Sequence, residues 1–161
     1  MGSLDGGSPN EITTSLMKAL DDAALSPIWT PDISKAVWQK LLINIAINPI
    51  CSISGVRNGA LLENDLWEQS QEILQESLTV AQASGIEITG PEIQNLLIEV
   101  VETTSGNRCS MLQDLMAGRN TEIDSLCGYV ITMGESHGIP TPLNSMLRAL
   151  IKGIEMSSHT D

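Results

Sequence analysis

Aromatic residues are nearly missing from this chain. They make up 2 % of it, with three Trp, one Tyr and no Phe. A core here must be assembled from Leu, Ile, Val, Ala and Met, and apolar residues supply 42 % of the sequence. Positive charge is also scarce, with 8 basic against 20 acidic residues and a net charge of −12. That balance argues against nucleic acid or an anionic membrane as a partner. The three cysteines, Cys51, Cys109 and Cys127, are odd in number and form no C-x-x-C pair. This disfavours a disulfide scaffold or a zinc site and points to a reduced, cytoplasmic protein with no bound metal. With only His137 and His159 present, a Ser-His-Asp triad has no support. The start, "MGSLDGGSPN", has neither the basic region nor the apolar run of a signal peptide. The longest apolar run, Leu41 to Ile50, is cut by Asn44, Asn48 and Pro49 and falls far short of the roughly 20 residues of a membrane span. No G-x-G-x-x-G follows a strand pattern, so no dinucleotide site is recognisable.

What remains is helical periodicity. Alternation of period two is rare, and the 161 residues are expected to form an all-α domain of six to seven helices. Asn10 is a candidate N-cap for a helix carrying Ile12, Leu16 and Leu20, and Asp32 or Ser34 can cap the next one. A long amphipathic helix is expected from about Asn64 to Ser84, with Leu66, Ile73, Leu74, Leu78 and Ala81 on its apolar face and Gly85 at its end. Pro91 at N1 opens a helix whose Ile93, Leu96, Leu97, Val100 and Val101 face inward. A Thr-x-x-Asp pattern at Thr121 and Asp124 reads as a helix start, Gly138 as a stop, and Thr141 as a cap before Pro142. Met111, Met116, Met133 and Met146 occupy apolar helical positions and are expected in the core.

Polar groups stand out on "WQKLLINIAINPI", residues 38–50. Lys40, Asn44 and Asn48 lie four apart and so share one helix face. A lysine partly desolvated on an apolar helix has a lowered pKa and suits proton donation, and neighbouring amides can orient a carbonyl or carboxylate. Equally, Lys40 can snorkel to solvent and the amides can cap backbone. Pro49 is expected to place Asn48 at a helix end or kink. Glu122 sits at an expected helix start, where the dipole stabilises an acid, and could also accept a bond from a substrate hydroxyl. Ser110 reads first as an N-cap and second as a ligand hydroxyl. His137, just before Gly138, complements a helix C-terminus.

Three segments carry a resemblance: "DISKAVWQKLLINIAINPICSISGVRNGALL", "SMLQDLMAGRNTEIDSLCG" and "GIPTPLN". In this order they resemble the C-terminal domain of ketopantoate reductases, of the helical 6-phosphogluconate-dehydrogenase C-terminal type. The resemblance divides the chain into an interdomain-like loop and helix (1–31), the helical domain (32–154) and a polar tail (155–161). It implies Lys40 as the catalytic proton donor, Asn44 and Asn48 as substrate ligands, Ser110 on the substrate carboxylate and Glu122 on the substrate hydroxyl. Cys109 stands where the family usually has a second serine. The family's Rossmann half does not occur in these residues. The resemblance therefore implies that the chain alone binds no cofactor and transfers no hydride, NADPH entering only with a Rossmann-domain partner. Two alternatives are a stand-alone, cofactor-free isomerase, dehydratase or cyclase using the same pocket on a carbonyl substrate, and a non-catalytic dimerisation or binding module. A homodimer or a Rossmann partner is expected to cover the apolar face left by the missing domain.

Overall fold

The computed structural model describes residues 1–3 and 7–158, without the side chains of Asn64 and Ser158. His159 lies outside the described residues, as do residues 4–6 of the expected first loop. Seven α-helices follow one another: α1 (Glu11–Asp22), α2 (Ile33–Ser54), α3 (Asn64–Ala83), α4 (Gly90–Thr103), α5 (Ser110–Met116), α6 (Tyr129–His137) and α7 (Pro142–Ser158). A 3-10 turn spans Asn58–Leu62 and a π-type turn spans Asp124–Gly128. No strand occurs among the described residues, and the all-α expectation holds.

The chain divides into two compact units, Met1–Trp38 and Gln39–Asp161. In the first, Gly2 and Thr30 form an isolated bridge, and the Met1 ammonium donates to the Ile28 carbonyl at 2.9 Å. Asn10 caps α1 by accepting from the Thr13 amide at 2.9 Å. No residue of α1 is buried, and Ile12 is 81 % exposed, so the apolar spacing of this helix faces solvent. Asp32 accepts from the Lys35 amide at 2.8 Å and opens α2.

The second unit is built around the rest of α2. Leu42, Ile43, Ile45, Ala46, Ile47, Ile50 and Cys51 are all buried, as are Asn48 and Ser52. A helix that is apolar on every side is a core helix. Helix α2 is also long and apolar enough to cross a membrane, with a mean hydropathy of 1.3 over an 18-residue window, a property missed by counting only its uninterrupted run. Most of it is buried inside the protein. Of the helix end or kink expected at Asn48, the end is not found, because Pro49 lies inside α2. The proline ring removes one helix donor, but Ser70 of α3 donates to the Ala46 carbonyl at 2.9 Å and supports the adjoining turn. Tertiary packing overrides the local preference here.

Helix α3 buries Ile73, Leu74, Leu78, Val80 and Ala81, with Leu66 half-buried, and packs on α4, α6 and α7. Gly85 follows at φ +82°, a left-handed geometry that favours glycine. Thr89 and Glu92 form a reciprocal capping box on α4, which begins one residue earlier than Pro91 implies. Glu92 also accepts from Gln39 of α2 at 3.0 Å. Ile93, Leu97 and Val101 are buried, while Leu96 and Val100 are half-buried.

Three expected caps are corrected. Cys109, not Ser110, precedes α5, and its Sγ accepts from the Leu112 amide at 3.5 Å. Asp124 caps nothing and instead pairs with Arg148 and Lys152 of α7, both at 2.7 Å. The first amides of α7 are bound by Glu76 of α3 rather than by Thr141: Leu143 and Asn144 donate to its carboxylate at 3.0 and 2.9 Å. An anion at a helix N-terminus satisfies orphan donors and complements the dipole. Of the four methionines, Met111 is fully buried and Met133 half-buried, but Met116 and Met146 are exposed. Spacing places them on helices; it does not say which face is covered.

Gly134 marks the tightest approach in this unit. A Cβ there would lie 2.8 Å from both the Ile139 carbonyl and the Thr141 methyl. Gly134→Ala is therefore expected to destabilise the protein by about 1–3 kcal/mol through overpacking. A denaturant titration checks this, and an unchanged midpoint would count against the packing described.

Candidate functional site

Three elements of the second unit converge on one open cavity of about 660 Å³. Helix α2 brings Lys40 and Asn44, one turn apart on the same face; α5 brings Ser110 and Asp114; the connection into the π-type turn brings Asn120, Thr121 and Glu122. Four of the five residues singled out from sequence thus share one space. Asn48 does not line it. It lies buried one turn further along α2, where its backbone carbonyl accepts from Cys109 Sγ at 3.6 Å.

Lys40 is exposed, so the desolvation expected from its apolar helix is absent in this chain. Its side chain reaches solvent from a helix whose following residues, Leu42 to Ser52, are mostly buried. The snorkelling alternative describes this placement.

The polar groups of the cavity fall into two sets. Lys40, Asn44, Ser110 and Glu122, with Asn48 beside them, make no side-chain hydrogen bond or ion pair among the described residues. Their neighbours are paired. Asp114 holds Arg119 at 2.7 Å, and Thr121 donates through both its amide and its hydroxyl to Glu155, each at 2.7 Å. Lys40, Ser110 and Glu122 are exposed and Asn44 is half-buried, so all four groups are open to solvent and within reach of a ligand entering the cavity. The open set comprises a cation, an amide, a hydroxyl and a carboxylate acceptor. It matches a small molecule bearing an anion or carbonyl together with a hydroxyl donor.

Asp114 and Thr121 were not anticipated from sequence. Asp114 lies four residues after Ser110, on the same face of α5, so helical spacing from Ser110 could have found it. Thr121 was read only as a cap.

The remaining titratable groups do not suggest further chemistry. Burial pushes the Cys51 thiol up to about 12, with Cys109 nearby adding to it, and burial pushes Cys127 up to about 12. Such thiols are poor nucleophiles. His137 is exposed and lies 3.3 Å from the Ser84 hydroxyl. Among the described residues no cluster of His, Cys, Asp or Glu is placed to hold a metal ion. A second groove, of about 490 Å³, runs between α3 and α4 past Glu68, Glu72, Gln75 and Gln94. It has no cationic lining residue, which suits it poorly to an anionic substrate.

Comparison with known proteins places this geometry. Residues 32–155 match the family described as ketopantoate reductase PanE/ApbA C terminal. The 2-dehydropantoate 2-reductase of Vibrio cholerae is 42 % identical over 135 residues, covering 83 % of this chain and 46 % of that protein. That of Archaeoglobus fulgidus is 34 % identical over 156 residues, covering 96 % and 52 %. Among solved structures, a PanE/ApbA family ketopantoate reductase from Ralstonia eutropha superposes with a TM-score of 0.86 at 27 % identity, over 94 % of this chain and 51 % of that one. A D-mandelate dehydrogenase solved with NADH and anilino(oxo)acetate gives a TM-score of 0.88 at 26 % identity, over 99 % and 66 %. The chain spans about half the length of the reductases it matches. With its three-element cavity and its match along nearly the whole second unit, the chain belongs to the ketopantoate reductase family, as the family's helical C-terminal domain.

Proposed function

We propose that the cavity binds a 2-oxo acid and supplies the proton-transfer and recognition half of a reductase reaction. The observation that carries this reading is the convergence of Lys40, Asn44, Ser110 and Glu122, a cation, an amide, a hydroxyl and a carboxylate, on one open cavity. The named relatives add the substrate class. The reductases are named for 2-dehydropantoate, and the mandelate dehydrogenase was solved with anilino(oxo)acetate. Both molecules place a carbonyl next to a carboxyl group.

In this reading Ser110 donates its hydroxyl to the substrate carboxylate. Asn44 donates its amide to the same end and fixes the plane of the oxo acid. Glu122 accepts the hydroxyl at the other end, the feature that distinguishes a hydroxylated oxo acid from a plain one. Lys40 directs its ammonium at the 2-oxo oxygen. There it stabilises the negative charge that develops as the carbon is reduced, and it delivers the proton. Asn48 supports the face from beneath, as a buried amide one turn beyond Asn44.

In this reading the hydride comes from a nicotinamide held by a Rossmann-type domain rather than by this helical domain. The described residues contain no strand leading into a glycine-rich turn and helix, the arrangement that cradles a pyrophosphate. Calorimetry on the purified chain tests both halves of the reading. 2-Dehydropantoate is expected to bind saturably and NADPH is not. No heat with 2-dehydropantoate, or saturable NADPH binding, would overturn it. Self-association belongs to the same proposal, supported by exposed Met146 and Leu150 on α7, and light scattering would detect it as twice the chain mass.

A further inference from the structure

Glu122 is the least supported member of the site. Its side chain has no partner among the described residues, and it lies on no α-helix. A free carboxylate on a connecting segment is a poor recognition element unless its backbone is held. The segment's neighbours show how it is held. Thr121 on one side donates its amide and its hydroxyl to the same oxygen of Glu155, both at 2.7 Å. The Thr121 hydroxyl oxygen in turn accepts from the Ile123 amide at 3.2 Å, tying together the residues that bracket Glu122. Two residues on, Asp124 binds Lys152 and Arg148. Lys152 closes the circuit by donating to the other Glu155 oxygen at 3.0 Å.

Glu155 is 5 % exposed, although it lies near the end of α7 in what reads from sequence as a polar tail. Burying a carboxylate is costly unless its charge is compensated. Here burial pushes the carboxyl up, but the Thr121 hydroxyl and amide and the Lys152 ammonium together hold it below the usual glutamate range. All three donors serve the segment that carries Glu122 or the ion pair flanking it.

We propose that Glu155 is a positioning residue, clamping the Thr121 to Asp124 segment onto α7 so that Glu122 is presented to the ligand in one orientation. The proposal rests on the reading of the cavity as a 2-oxo acid site with Glu122 as a ligand. It adds a residue that touches no ligand itself and acts through Thr121.

A double-mutant cycle on the full chain, read as 2-dehydropantoate binding by calorimetry, tests it. Circular dichroism verifies that each variant is folded. Glu122→Gln is expected to weaken binding about 10-fold, the scale of one charge-assisted hydrogen bond. Glu155→Gln is expected to weaken it about 3- to 10-fold. The double variant should bind no more weakly than Glu122→Gln alone, because a residue acting only through Glu122 has nothing left to position. Should Glu155→Gln fail to fold, Thr121→Val breaks the hydroxyl bond and leaves the Glu155–Lys152 pair intact. It is expected to weaken binding in the native background and not in the Glu122→Gln background. Unchanged binding in Glu155→Gln, or losses that multiply in the double variant, would overturn the positioning role while leaving the site reading intact. Binding that is absent in the native chain, or unaffected by Glu122→Gln, would overturn the site reading and the positioning role with it.

Discussion

Lys40→Ala should weaken 2-dehydropantoate binding by about 10- to 100-fold and leave the fold untouched. Among the described residues Lys40 is the only cation lining the cavity, so its loss removes the one full positive charge they offer an anionic, carbonyl-bearing ligand. Hydrogen bonds to charged groups contribute about 1.5–3 kcal/mol, and each 1.4 kcal/mol is about tenfold in affinity. Stability should not follow. Lys40 is exposed and has no protein partner among the described residues, and surface substitutions of this kind stay within about 0.5 kcal/mol. Calorimetry beside a thermal melt separates the two effects. Equal affinity in the variant would remove Lys40 from the site. A large drop in melting temperature would show that Lys40 is structural. In a complete reductase the same substitution should lower turnover by about 10²- to 10⁴-fold, the usual contribution of a positioned proton donor.

Leu42→Ala tests the opposite face of the same helix. Leu42 is fully buried two residues after Lys40. Truncating a core leucine costs about 2–5 kcal/mol, because the transfer energy of the lost atoms is compounded by the cavity left behind. Against a total stability of about 5–15 kcal/mol, that is a large fraction. For a chain of this size it should appear as a fall of about 5–15 °C in melting temperature. A shift under 2 °C would mean that α2 is not the centre of the core. The pair of variants is informative because the residues are so close. One should weaken binding without loss of stability, and the other should lower stability without any direct role in binding.

The fold was largely legible because its signals are local and periodic. Asn10 and Asp32 cap as their side-chain chemistry requires, and α3 buries the face its spacing marks. In most places where local reading failed, a distant partner was responsible. Pro49 should end or kink a helix; α2 runs on through it, and Ser70 supports the turn before it. Thr141 should cap α7, but Glu76 arrives from α3 to take the amides. Asp124 should complete a capping pattern, but its counter-ions stand on α7. Ser110 should cap α5 by residue type, but the thiol of Cys109 does so, which frees the serine hydroxyl for the cavity.

The candidate site was legible in part for the same reason. Lys40, Asn44 and Asn48 share a stripe by helical spacing alone. Their meeting with Ser110 and Glu122 depends on how α5 and the segment after it dock, which spacing cannot express. The stripe itself divides. Lys40 and Asn44 reach the cavity, while Asn48 sinks into the core beside Cys109. Glu155 was invisible as a site residue, because its significance comes from burial and from Thr121, 34 positions away.

The most direct test of a 2-oxo acid site on this domain is to map where the ligand lands. The 15N-labelled chain titrated with 2-dehydropantoate should show backbone amide shifts concentrated at residues 40–44, 110–114 and 120–122. The groove between α3 and α4 should stay silent, and in Lys40→Ala the same shifts should need about 10- to 100-fold more ligand. Shifts centred on Glu68, Glu72 and Gln94, or none at all at saturating ligand, would contradict it.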